Sequence, residues 1–142
     1  MLRNRRLSLT VGAFALGAGF VLQSVALTPA AVAAPARAAT TYSCTYRIDP
    51  DTIYLYAGWS NTLTTNTKYG QANDRVKEVQ CLLTQWADDR GSSFSPKGVD
   101  GQFGSNTKAA VINAQKLCFP HDSTQWDGEV GSNTWPCLRL YW

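Results

Sequence analysis

Histidine is nearly absent: His121 is the only one in 142 residues. It stands between Pro120 and Asp122, in a stretch that reads as loop. A zinc peptidase or an amidase needs several clustered ligands, and one imidazole cannot supply them. No nucleophile motif accompanies His121 to complete a Ser-His-Asp site. The four cysteines show no CxxC spacing, which argues against zinc and thioredoxin-like chemistry. A papain-like pair would need one of them free, against the even count. Asp88, Asp89 or Glu129 could pair as carboxylates for glycoside cleavage, but so small a chain has little material for a glycan cleft. The expectation is a protein without catalysis, metal or cofactor.

A basic surface is missing as well. Arg3, Arg5 and Arg6 open a segment whose next part, Leu7 to Leu27, is apolar and rich in Ala and Gly. Ala31-Val32-Ala33 and Ala36-Arg37-Ala38 both fit small-x-small cleavage sites. Residues 1–38 therefore read as a secretory signal peptide. The apolar run also raises a membrane anchor, but the small-residue tail and the cysteines favour cleavage. Arg5-Arg6 is a weak twin-arginine signal, and Tyr42-Ser43 before Cys44 is no lipoprotein box. Cleavage after Ala38 removes four of the 13 Lys and Arg and leaves nine against ten Asp and Glu. Nothing then supports nucleic-acid binding. About 104 residues remain, enough for one small domain. A secreted or wall-associated monomer, free of the membrane after cleavage, is expected.

Cys44, Cys81, Cys118 and Cys137 all lie in the mature part. In a small exported chain an even count reads as disulfides. The preferred pairing is Cys44–Cys81 with Cys118–Cys137, and Cys44–Cys137 with Cys81–Cys118 is the main alternative.

What the chain does have is a repeat. Asp100-Gly101-Gln102-Phe103-Gly104-Ser105-Asn106-Thr107 returns 27 residues later as Asp127-Gly128-Glu129-Val130-Gly131-Ser132-Asn133-Thr134. Asp-Gly makes a turn, one apolar residue dips inward, and the polar triplet opens a helix. A calcium loop would need oxygen ligands at alternating positions, and Gln102-Phe103-Gly104 breaks that series. The helical pattern predicts a first helix from about Asp74 to Trp86, with Val76, Val79, Leu83 and Trp86 buried and Lys77, Glu78 and Gln85 wet. Residues 88–98 read as loop. A second helix follows Gly104 and ends near Leu117, before Pro120. Thr107, Val111, Ala114 and Cys118 share its inner face. A third runs from Ser132 to about Leu140, with Trp135 and Leu138 inward. Ile53-Tyr54-Leu55-Tyr56 reads as a short strand. The fold class is all-α: a small orthogonal three-helix bundle, disulfide-stabilised, with a duplicated loop-helix unit. An irregular N-terminal arm over 39–68 precedes a domain over 69–142.

Gly70, Val76-Lys77-Glu78-Val79-Gln80, the two Asp-Gly-x-apolar-Gly-Ser-Asn-Thr segments and Ala110-Val111 with Gln115 together resemble the bacterial peptidoglycan-binding domain of the three-helix type. Ala114 stands where that family usually has an aromatic, and Cys118-Phe119-Pro120 replaces a usual Gly-Leu. Residues 40–68 have no counterpart in the family pattern. The resemblance implies a secreted, non-catalytic protein whose partner is peptidoglycan or another cell-wall polymer. An interaction or inhibitor protein acting on a secreted hydrolase is the alternative, and a minimal wall hydrolase a third. The expected surface is the groove between the two repeat loops and their helix starts. Asp100 and Asp127 are candidates there, although an Asp before Gly also holds its own turn. Asn106, Thr107, Asn133 and Thr134 occupy the first helical turns. Backbone N–H groups beside them could donate to a stem-peptide carboxylate. Trp59, Tyr69, Tyr141 and Trp142 are not placed by the helical pattern and are the candidates for stacking on sugar rings.

Overall fold

The structure, a computed structural model, describes residues 40–140. The expected signal peptide, Tyr141 and Trp142 lie outside the described residues. Three helices form the body: α1 (Asp74–Arg90), α2 (Ser105–Cys118) and α3 (Thr134–Arg139). Before them stands a two-stranded antiparallel hairpin, β1 (Arg47–Ile48) and β2 (Leu55–Tyr56), with Arg47 opposite Tyr56 and Ile48 opposite Leu55. Ile53 belongs to its turn, not to a strand; it adopts φ 56°, and Asp49 gathers the turn by accepting from the Asp51 and Thr52 backbone N–H groups.

Helix α1 starts where Asn73 Oδ1 accepts the Val76 N–H at 3.2 Å. It runs one turn further than the sequence suggests and takes in Asp88 and Asp89. Both acids are exposed, and Gln85 donates to Asp89 one turn on. The helix stops at Gly91, whose φ of 112° suits a residue without Cβ. Helix α2 ends as expected before Pro120. Helix α3 is shorter than expected; Pro136 is accommodated in its first turn, where a missing N–H costs nothing.

The core lies between the helices. Val76, Val79, Leu82, Leu83 and Trp86 meet Phe103, Val111, Val130, Trp135 and Leu138. The indole N–H of Trp86 donates to the Leu138 carbonyl, and that of Trp135 to Thr65. The disulfides are Cys44–Cys81 and Cys118–Cys137, the preferred pairing, with Cα atoms 5.7 and 6.2 Å apart.

Glu78 overturns the expectation of a wet face. It is fully buried and takes the Arg139 guanidinium at 2.6 Å. Its carboxylate also accepts the backbone N–H groups of Ala57, Trp59 and Ser60. Arg139 donates in turn to the carbonyls of Leu55, Ser60 and Thr62. Periodicity could not reveal this, because the covering chain comes from the arm. The Tyr46 hydroxyl donates to the Cys81 carbonyl, and burial there, reinforced by the carboxylates of Asp88 and Glu78, pushes its pKa up to about 12.

Candidate functional site

Each copy of the repeat is organised by one buried glutamine from the preceding helix. Gln80 of α1 donates to Asp100 Oδ1 at 2.7 Å, to the Gln102 carbonyl at 3.0 Å and to Thr107 Oγ1 at 3.1 Å. Its carbonyl oxygen accepts the Gly101 N–H at 2.8 Å. Gln115 of α2 repeats this with Asp127 at 2.8 Å, the Glu129 carbonyl at 2.9 Å, Thr134 at 3.2 Å and the Gly128 N–H at 2.9 Å. Each aspartate also accepts the N–H two residues on. A primary amide is the right tool: it carries donors and an acceptor on one rigid plane. Each glutamine falls four residues after a buried valine, Val76 or Val111, and so shares its helix face. That spacing was the available signal for a polar hub.

The turns themselves need glycine. Gly101 and Gly128 adopt φ 74° and 75°. A Cβ at Gly128 would stand 2.7 Å from Lys108 Cγ, so side chain and backbone both exclude one. After each turn the apolar residue is held by the stretch from Thr67 to Gln71, where the arm meets the domain. Thr67 pairs with Val130 through two backbone bonds, and Gln71 accepts from Phe103. Tyr69 lies between these two attachments and is 63% exposed.

A cavity of about 340 Å³ opens beside the second hub. Asp127, Glu129, Ser132, Asn133 and Thr134 line it from the repeat, with Gln115 and Gln125. Thr64 and Asn66 line it from the arm. Asn66 Nδ2 donates to Glu129 at 2.7 Å, and Lys68 Nζ lies 3.6 Å from the same carboxylate.

The structure therefore gathers three of the expected residues, Asp127, Asn133 and Thr134, at one cavity. Asp100 and Thr107 belong to the other hub, and Asn106 is exposed in the first turn of α2. Thr107 and Thr134 are almost fully buried, with hydroxyls turned to the glutamines. Trp59 is half-buried and packs edge-on against Tyr42 at 5.5 Å, with Lys77 Nζ 4.3 Å from its ring. Its indole N–H donates to Ser43. Gln115, Gln125, Thr64 and Asn66 are not among the expected site residues, and Glu129 is read from the sequence only as a carboxylate for glycoside cleavage. Among the described residues no three His, Cys, Asp or Glu side chains are grouped to hold a metal.

Residues 72–138 match the family described as "Putative peptidoglycan binding domain". No curated protein matches the chain. Among solved structures, the chain is similar to a peptidoglycan-binding protein from Clostridioides difficile in complex with glutamine hydroxamate, at 24% identity and a TM-score of 0.50. The similarity covers 68% of this chain and 56% of that one, so the chain spans little more than half the neighbour's length. That likeness bears on the fold. The family match covers both glutamine hubs, both Asp-Gly turns and the part of the cavity wall they build, so residues 72–138 are similar to the peptidoglycan-binding domain family.

Proposed function

We propose that this is an exported protein that binds bacterial cell-wall peptidoglycan without cleaving it. The observation that carries the reading is the family match over residues 72–138, which takes in both loop-helix units. Export is supported by two disulfides and by the absence of free cysteine among the described residues. The non-catalytic reading rests on the sequence, whose only histidine, His121, is exposed and outside the cavity lining.

Co-sedimentation of the mature protein with purified sacculi tests it. The protein is expected in the pellet, with no muropeptides or reducing ends released. Clearing of walls by pure protein overturns the non-catalytic part. Failure to pellet with walls of several bacteria overturns the binding part.

A further inference from the structure

The cavity beside Gln115 has a one-sided chemistry. Asp127 and Glu129 are its only charged lining residues, and neither Lys nor Arg is among them. Glu129 is already engaged by Asn66 and Lys68 on the arm. Asp127 differs: no Lys or Arg among the described residues lies within ion-pairing distance of it. Its Oδ1 serves Gln115 and the Glu129 N–H, and Oδ2 has no protein partner among the described residues. Two of the lining amides, Gln115 and Asn66, are already engaged, whereas Gln125 Nε2 has no acceptor among the described residues. Gln115 Nε2 faces three acceptors, and Asn66 Nδ2 is fixed on a carboxylate, which leaves its Oδ1 unengaged.

The charge of the wall is thus wholly negative, and the Asn66 carbonyl oxygen and Asp127 Oδ2 are free to accept. A ligand carboxylate at this helix start would meet two carboxylates, the reverse of the anion site expected from the sequence. Helix α3 spans only Thr134–Arg139, too short to offset them. The cavity volume of about 340 Å³ lies at the small end of ligand sites.

We infer that this cavity recognises a primary ammonium carried on a short peptide, such as the uncrosslinked side-chain amine of a diamino acid in the wall stem peptide. Asp127 is the counter-ion, and the Asn66 carbonyl oxygen and Ser132 hydroxyl complete the acceptor set. The inference rests on the wall-binding reading and narrows it from polymer to functional group.

The test compares binding of the mature protein to untreated sacculi and to sacculi whose free amines have been acetylated. Acetylation removes the charge and two donor hydrogens, and binding is expected to weaken about tenfold or more, as for a lost charge-assisted hydrogen bond. Asp127→Asn keeps the shape and the acceptor for Gln115, and is expected to weaken binding to untreated walls by a similar factor. The two losses should not add, so that acetylated walls bind parent and variant alike. Glu129→Gln serves as a second variant if Asp127→Asn unfolds, because Gln102 already occupies the matching position in the first repeat. It is expected to lower the preference for untreated walls several-fold. Equal binding of the parent to treated and untreated walls overturns the inference and leaves the wall-binding reading standing. No binding to either overturns both.

Discussion

At the scale of single residues, the two glutamines separate fold from site. Each satisfies a threonine hydroxyl, an aspartate, a carbonyl and a glycine N–H in mostly buried surroundings. Gln80→Ala and Gln115→Ala should each cost roughly 2–3 kcal/mol, since buried partners lose their bonds together. Chemical denaturation measures this. Only Gln115→Ala should also weaken wall binding at a temperature where both variants remain folded. The ion pair makes a different claim. Arg139→Met strands a buried carboxylate and should cost about 3–5 kcal/mol. Adding Glu78→Gln should recover part of that loss, and a double-mutant cycle shows whether it does. Equal and additive losses would mean that the two side chains do not act as a pair.

At the scale of elements, the disulfides tie different things. Cys44–Cys81 fastens the arm to α1 across 37 residues, and Cys118–Cys137 joins the end of α2 to α3 across 19. On loop entropy alone their removal costs about 4 and about 3 kcal/mol. Paired Cys→Ser variants in urea should show that order. The first two helices were legible because each carries apolar residues at helical spacing, and Pro120 marks the stop of the second. The repeat made the two turns legible for the same local reason. The third helix is shorter than its sequence pattern suggests, since Asn133 stands outside it as the cap. Glu78, Gln115 and the arm side of the cavity were not legible. Their partners are far off in sequence, and Asn66 with Glu129 leaves no local pattern to read.

At the scale of the whole molecule, the arm is structural. It contributes Leu55, Ala57 and Thr67 to the interior and supplies the backbone groups that satisfy Glu78 and Arg139. A chain trimmed to residues 69–142 should therefore lose cooperative melting or melt far below the parent, as judged by calorimetry. Melting like the parent would show that residues 72–138 are self-sufficient here.

The pairing of Glu78 with Arg139 also sets an order of events. Arg139 lies 61 residues after Glu78 and 84 after Leu55. When the chain emerges N-terminus first, the arm and α1 are available well before α3. Until then Glu78 has no cation to meet, and burying it alone is costly. The early chain therefore has reason to stay open, and closure waits for distant contacts, which is the slow kind of folding. Such a polypeptide can be threaded through a narrow passage while unfolded, and it locks into shape once α3 arrives.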